Sequence, residues 1–450
     1  MPASSHGRPR RTSRRSFLRS IGMATSGLAL TTLLPACGPT AAGPQQSSKD
    51  LKFVGSGDAA AQARVQAYLS AFQKSSGLSV NFIPIQDYYT ENVLAMTGAG
   101  VPPDVLYVSR AEFDVLYPAN KLTELTSLLM RDHTKLNAYF PLVLKEWQRN
   151  DKQMIMPLGF RTLGMAYNTG LFQQSQVALP PPDWSAQGWA IADFVNAVIK
   201  TTYPGTPAKD PDYGFYVDPT YLVWSTFVQN AGGVVVDEQS HTVDVDKPEA
   251  IGALAALASV MTKPGVLPPK NLVSADNGLN VFANGNLSLT ITDPSTIPLR
   301  QRDAHFFWDV GVMPGGPGGR GTTGTGSGYG VVAGSKVADN AWKLVQYLTS
   351  EPVQTQEARV GQWIPSLQSV ANSATFLPEL ANPDLYPQHM KLFVDVINGG
   401  KVYLQPAVSN WPAVLNALEA GIQDLWTGKA QPDAVAAQMK KLAEPILNGK

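Results

Sequence analysis

Polar side chains that could bind a ligand follow three predicted strands, at residues 51–54, 78–85 and 105–108. Strands that alternate with helices in this way indicate an α/β fold with a parallel sheet. Such sheets bind ligands at the carboxyl ends of their strands. Each of the three loops could also be a solvated turn. The candidate contacts in these loops are Ser56, Asp58, Gln86, Asp87, Ser109, Arg110 and Glu112.

No residue set typical of catalysis or of a metal site stands out. The five histidines, at positions 6, 133, 241, 305 and 389, lack a second His or a Cys at the spacing of zinc ligands. Neither a nucleophile elbow nor a Walker lysine is present. Residues 319–324 spell G-x-G-x-x-G, but the surrounding glycine-rich stretch 315–330 is expected to be a loop with no helix after it. We therefore predict a binding protein without cofactor or metal, and not an enzyme.

Aromatic and amide side chains are abundant near predicted loops and helix ends. Flat rings stack on the C–H faces of sugars, and planar polar groups bond to sugar hydroxyls. This combination favours a sugar-binding cleft, although packing in the core or between lobes explains any single ring equally well. The rings concerned are Tyr88, Tyr89, Trp224, Tyr329, Trp363 and Trp411.

The N-terminus has the layout of an export signal. Arg14-Arg15 precede a short apolar stretch, residues 21–34, which ends in Leu34-Pro35-Ala36-Cys37. The arginine pair indicates twin-arginine export, and the last four residues resemble a bacterial lipobox. We expect residues 1–36 to be removed, Cys37 to carry a lipid anchor, and residues 37–49 to form a tether on the outer side of the cell membrane. An ordinary cleaved signal with a chance cysteine is the alternative.

Cleavage before Cys37 would leave 414 residues, which predicts two lobes rather than one compact core. The removed segment holds six arginines and no acidic residue, so 29 basic and 35 acidic side chains remain. An acidic protein of this kind is not expected to bind nucleic acid.

The rest of the chain continues the α/β pattern. Strands are predicted at 154–156 and 164–167, around a bend at 157–161, and again at 287–291 and 309–313. Helices are predicted from Pro248 to Met261, with proline near the start, and from Trp411 to Trp426.

Several short motifs, in order, resemble the extracellular solute-binding proteins of ABC importers, in the carbohydrate branch that includes maltose-binding proteins. The resemblance implies a type II periplasmic-binding-protein fold, in which two α/β lobes joined by three crossovers close on the ligand like a Venus flytrap. One lobe would comprise 50–156 and 330–360, and the other 160–327 and 365–450. The motifs lie at residues 99–105, 156–157, 167–172, 232–233, 282–286, 312–314 and 328–330.

The same resemblance implies further ligand contacts in addition to the three strand loops. Arg161 falls where maltose binders place an acidic contact, so the charge is reversed. Ser295 stands where those proteins often have a tryptophan. The further contacts implied are Arg161, Tyr221, Trp224, Asp293, Ser295, Tyr329 and Trp411.

These observations predict a monomeric, membrane-tethered receptor. It would capture a sugar or oligosaccharide and deliver it to the permease subunits of an ABC transporter. Arg110 and Arg161 leave open a phosphorylated polyol or another anionic solute as the ligand. An exported enzyme that acts on polysaccharide is the third hypothesis, but no two carboxylates are spaced as an acid and base pair.

Overall fold

The structure is a computed structural model that describes residues 49–207, 209–274, 278–298, 303–382, 387–408 and 410–449. The predicted signal segment, Cys37 and nearly all of the tether lie outside these residues. Within the described ranges, no helix is long and apolar enough to cross a bilayer.

Strands and helices alternate along most of the described chain. The strands are β1 Asp50–Gly55, β2 Ser79–Pro84, β3 Val105–Ser109, β4 Gln148–Arg149, β5 Lys152–Gln153, β6 Met156–Thr162, β7 Gly164–Asn168, β8 Tyr213–Tyr216, β9 Val236–Asp237, β10 Thr242–Val243, β11 Leu287–Thr292, β12 Trp308–Gly311, β13 Gly321–Val331, β14 Ile364–Pro365 and β15 Lys401–Tyr403.

The helices are mostly short, and the longest pack on the outer faces of the sheets. They are α1 Ala59–Ser76, α2 Tyr89–Gly98, α3 Arg110–Leu116, α4 Thr126–Arg131, α5 Pro141–Glu146, α6 Thr169–Gln174, α7 Ile191–Lys200, α8 Tyr221–Asn230, α9 Pro248–Met261, α10 Lys270–Val273, α11 Leu279–Ala283, α12 Ala338–Leu348, α13 Glu351–Val360, α14 Gln368–Ala371, α15 Leu392–Gly399, α16 Trp411–Trp426 and α17 Pro432–Leu447. The predicted bounds of α9 and α16 are confirmed.

Helix α1 shows how the sequence sets the ends of an element. Asp58 accepts a hydrogen bond from the Ala61 amide (2.8 Å), and Gly77 ends the helix with a φ of 69°. A carboxylate at the N-cap satisfies an amide that has no helical partner, and glycine adopts positive φ without a steric penalty. Leu69 and Phe72 then pack into the core.

The larger sheet has the order β14-β6-β13-β3-β1-β2, and β15 pairs with the beginning of β13. Strand β1 is parallel to β2 and β3, whereas β13 is antiparallel to β3 and β6. Neighbouring residues of β1 enter different cores: Phe53 packs with α1 residues, and Val54 packs with residues of α2 and α3. The sheet is therefore covered by helices on both faces.

The smaller sheet has the order β12-β7-β11-β8. Strand β11 is parallel to β8 and antiparallel to β7. Helix α7 buries Phe194 edge-on against Phe215 of β8, with ring centroids 5.1 Å apart. Buried residues of α8, α9, α16 and α17 share this core.

The chain passes between the two sheets at closely spaced points. Only Leu163 separates β6 from β7, and its amide donates a hydrogen bond to the Thr322 hydroxyl (2.9 Å). Strand β13 leads back into the larger sheet. The chain leaves again between β15 and α16, whose buried side chains join the core of the smaller sheet.

Two expectations from the sequence are wrong at these crossovers. Residues 157–161 do not form a bend, because they lie within β6. Pro157 has no amide hydrogen for the ladder, but the pairing with β13 shifts register beside it, between Ser327 and Gly328. A bulge of this kind admits a proline inside a sheet.

The second wrong expectation concerns the glycine-rich stretch, because residues 321–331 form strand β13 rather than a loop. A Cβ atom at Gly328 would collide with the carbonyl oxygen of Met156, and one at Gly326 would lie 2.6 Å from a carboxylate oxygen of Glu146. The glycines are therefore needed because neighbouring groups approach this strand closely, and not because the chain turns there.

Candidate ligand-binding site

A cavity of about 240 Å³ lies at the carboxyl end of β1. Three predicted contacts, Ser56, Arg161 and Tyr329, line it together. Its walls come from β1, α1, β3, β6, β13, α13 and the segment before β14. The lining residues are Phe53, Gly55, Ser56, Gly57, Ala61, Arg64, Val65, Tyr107, Leu158, Arg161, Tyr329, Glu357, Gln362 and Trp363.

The loop after β1 reaches the cavity through backbone that only glycine adopts readily. Gly57 has a φ of 127°, and a Cβ atom there would lie 2.8 Å from the Cβ of Ala61. Its carbonyl accepts hydrogen bonds from Gln62 (2.9 Å) and from Gln86 (3.5 Å). This loop is therefore fixed in place by α1 and by the loop after β2.

Two other predicted contacts near this loop are exposed. Asp58 caps α1 through the Ala61 amide. Asp87 follows Gln86, and its backbone carbonyl accepts a hydrogen bond from the Asn92 side chain (3.1 Å). Neither residue lines the cavity.

One wall of the cavity holds a bonded set of polar side chains. Arg64 lies 3.3 Å from Glu357 and donates a hydrogen bond to the side-chain oxygen of Gln362 (3.1 Å). The Tyr68 hydroxyl donates to the same carboxylate oxygen of Glu357 (2.8 Å). Burial, reinforced by the Glu357 charge, raises the pKa of Tyr68, so this hydroxyl stays protonated.

Arg161 and Trp363 also line the cavity, and Gln362 connects them to the Arg64 set. The guanidinium carbon of Arg161 lies 3.9 Å from the centre of the Trp363 ring, which is a cation–π contact. The Nε atom of Arg161 donates a long hydrogen bond to the Gln362 carbonyl (3.4 Å).

Tyr329 forms the floor of the cavity. It is 3% exposed, and its ring packs edge-on against Phe53 (5.7 Å) and Tyr107 (5.9 Å). Burial raises the pKa of both tyrosine hydroxyls, which therefore remain neutral hydrogen-bonding groups.

The polar residues at the end of β3 and the start of α3 bond to nearby protein groups and do not line the cavity. Ser109 and Glu112 form a capping box, in which the Ser109 amide donates to the Glu112 carboxylate (2.8 Å). Arg110 is 3% exposed, lies 2.8 Å from Asp114, and donates to the Pro406 carbonyl (2.8 Å). The helix start therefore uses these polar groups internally.

Three predicted aromatic contacts form one buried cluster on the smaller sheet. Tyr221 packs edge-on against both Trp224 and Trp411, each at 5.1 Å between ring centroids. The Trp411 indole donates to Gln405 (2.8 Å), and the Trp224 indole donates to Glu419 (3.4 Å). Trp224 is fully buried, so its ring contributes to packing.

Asp293 and Ser295 occupy the turn after β11. Asp293 accepts a hydrogen bond from the Ser295 amide (2.7 Å). The same segment lies close to Gly361, because a Cβ atom at Gly361 would lie 2.7 Å from Pro298. Gly361 directly precedes Gln362 and Trp363, so this turn of the smaller sheet lies next to the cavity of the larger one.

A second, larger groove of about 750 Å³ runs beside loop 182–185 and residues 388–401. None of the predicted site residues lines it. No group of three or more potential metal ligands occurs among the described residues.

A family profile described as bacterial extracellular solute-binding protein matches residues 67–383. This chain belongs to that family. Family membership implies an exported protein that binds a solute, and it confirms the resemblance seen in the sequence.

Solved structures confirm the two-lobe α/β fold of this solute-binding protein. The ABC substrate-binding protein Lmo0181 of Listeria monocytogenes, in complex with cycloalternan, has a TM-score of 0.74 at 20% identity, over 89% of this chain and 98% of that chain. UgpB of Mycobacterium tuberculosis, in complex with glycerophosphocholine, has a TM-score of 0.73 at 18% identity, over 89% and 98%. Maltose-bound MalE3 of T. maritima has a TM-score of 0.71 at 20% identity, over 89% and 99%.

Most lining residues of this solute-binding protein are not among the predicted contacts, and these include the polar or aromatic side chains Arg64, Tyr107, Glu357, Gln362 and Trp363. Trp363 belongs to the aromatic set noted in the sequence. Glu357 and Gln362 lie about 300 residues after the β1 loop that they face, and only the order of strands in the sheet brings them there.

Proposed function

We propose that this protein captures a sugar or a sugar-sized solute between its two lobes and delivers it to the permease of an ABC importer. The observation that carries the proposal is the composition of the cavity. Ser56, Arg161, Tyr329 and Trp363 come from four distant parts of the chain and line one space beside the crossovers. The lobes would comprise 50–156 with 330–360 and 160–327 with 365–450.

Ligand binding in this arrangement would act by population shift. The turn after β11 follows a strand of the smaller sheet and lies against Gly361, two residues before Trp363 of the cavity wall. A solute that touches both sides gains more contacts when the lobes are closed. Its higher affinity for the closed form then shifts the equilibrium towards closure.

A ligand screen tests this proposal. The panel holds mono-, di- and trisaccharides, uronic acids and glycerophosphodiesters, and the readouts are the melting temperature and isothermal titration. A true ligand at 100 times its Kd should raise the free energy of unfolding by about 2.7 kcal/mol, because it binds only the folded state. The ligand should be recovered chemically unchanged after long incubation, whereas conversion to a product would favour the enzyme hypothesis. A panel without a single binder would contradict the proposal.

We also propose that Cys37 anchors the protein to the outer face of the membrane, with residues 37–49 as the tether. This proposal is supported by the lipobox-like sequence 34–37. Labelled palmitate should be incorporated into the wild-type protein and not into Cys37→Ser, and the variant should leave the membrane fraction. Equal labelling of both proteins would rule out Cys37 as the attachment point.

A further inference from the structure

The charges that line the cavity are unequally paired. Arg64 has the Glu357 carboxylate at 3.3 Å, and the Gln362 side chain accepts another of its hydrogen bonds. Glu357 also receives the Tyr68 hydroxyl. The charges of Arg64 and Glu357 therefore compensate each other within the protein.

Arg161 has no such compensation. Among the described residues, no carboxylate lies within 4.0 Å of its guanidinium group. Glu357, the acidic residue that lines the same cavity, is paired with Arg64 and Tyr68. The predicted acidic contacts Asp58 and Glu112 accept hydrogen bonds from the amides of Ala61 and Ser109.

The donors of Arg161 are also mostly unused. Its Nε atom donates a long hydrogen bond to the Gln362 carbonyl (3.4 Å), and one face of the guanidinium group is covered by Trp363. Within the described part of the chain, neither terminal nitrogen has a hydrogen-bond partner. An arginine presents these two nitrogens as a fork that matches a carboxylate or a phosphate. The indole ring fixes the plane of that fork without neutralising its charge.

The size of the cavity limits what can occupy it. Its volume of about 240 Å³ is below the roughly 300–1,000 Å³ of sites that enclose drug-sized molecules. The space beside Arg161 therefore has the size expected for a single sugar or glycerol unit.

We infer that the solute carries a carboxylate or phosphate group, that Arg161 binds this group, and that it sits on a unit the size of a single sugar or glycerol. The inference rests on the proposed function, because it concerns the ligand of that receptor. Tyr107 and Tyr329, with neutral hydroxyls, would then border the uncharged part of the solute.

Titration calorimetry with matched pairs of ligands tests the inference. The acidic probes are glucuronate, galacturonate, glucose 6-phosphate and glycerol 3-phosphate, and the neutral partners are glucose, galactose and glycerol. The wild-type protein should bind at least one acid more tightly than its neutral partner. Arg161→Gln should weaken that binding on the order of 10- to 100-fold, which is the usual contribution of a hydrogen-bonded charge. Arg161→Lys, which keeps the charge but lacks the fork, should weaken it less.

Arg359→Gln is the matched control, because Arg359 is an exposed arginine of α13 bonded to Gln356 (3.0 Å). This variant removes the same charge and should bind the acidic ligand like the wild type.

Two results would contradict different parts of the argument. If neutral sugars bind the wild type and Arg161→Gln equally well and acids do not bind, the receptor stands and the inference is wrong. If no probe binds at all, the receptor for a sugar-sized solute is itself contradicted.

The pH dependence of the affinity distinguishes a phosphate ligand from a carboxylate ligand. A phosphate monoester loses its second charge near pH 6, so a phosphate ligand should bind more weakly at pH 5 than at pH 7.5. A carboxylate ligand stays ionised over that range, and its affinity for Arg161 should remain nearly constant.

Discussion

Replacing Asp114 with asparagine is expected to lower the free energy of unfolding by about 3–5 kcal/mol, because it leaves buried positive charge without a partner. Asp114 is 4% exposed and lies 2.8 Å from Arg110 and 3.4 Å from Arg149. Arg110 also donates to the Pro406 carbonyl, which precedes α16. Loss of the Asp114 carboxylate should therefore destabilise both α3 and its contact with the segment before α16.

Asp339→Asn provides the matched control. Asp339 pairs with Arg131 at 2.6 Å, but both side chains are largely exposed, at 73% and 49%. An exposed pair contributes about 0–1 kcal/mol, so this variant should differ little from the wild type. Urea unfolding of the three proteins gives the comparison. Equal midpoints for Asp114→Asn and Asp339→Asn would show that the Arg110 pair has no structural importance.

The sequence predicts the part of the fold that depends on local patterns. Helices α9 and α16 follow from proline at the first turn and from apolar spacing, and their bounds are confirmed. Strand β13 could not be predicted in this way. Its glycines have low strand propensity, and they are required by Met156 and Glu146, which lie more than 150 residues earlier in the chain.

The same distinction holds for the candidate site. A loop after a parallel strand faces the binding edge of the sheet, which predicts Ser56, and the resemblance implies Arg161 and Tyr329. Arg110 follows such a strand as well, but its partner Asp114 lies four residues later, one helical turn away. That i,i+4 spacing is visible in the sequence and indicates an internal ion pair. Trp363 meets Arg161 only through the pairing of β14 with β6, which no local pattern shows.

Glu146 is a buried acid beside β13, one of the crossover strands. It is 1% exposed, and one of its carboxylate oxygens accepts a hydrogen bond from the Gly326 amide (3.2 Å). Burial raises its pKa to about 7, and the Asp114 charge adds to the effect, while Arg110 and the Gly326 amide oppose it. The positive charge of Arg149 on β4 also interacts with the Glu146 carboxylate.

The raised pKa fixes the sign of a pH effect on stability. An unfolded glutamate has a pKa of about 4.3, so between about pH 4.5 and pH 7 the folded protein holds a proton that the unfolded chain has lost. The free energy of unfolding therefore falls as the pH rises through this range, by about 3–4 kcal/mol in total, and the loss is complete by about pH 8. Below pH 4.5 Glu146 is protonated in both states and causes no loss.

Glu146→Gln should remove this effect, because glutamine stays neutral and keeps an oxygen that accepts from Gly326. Urea unfolding should show a variant close to the wild type at pH 4.5 and more stable than it, by up to about 3–4 kcal/mol, at pH 8. Glu238→Gln removes the same charge at an exposed position after β9. This control variant should have the same free energy of unfolding as the wild type at both pH values. A Glu146→Gln difference that is the same at both pH values would contradict an elevated pKa, since a purely steric change of packing does not depend on protons.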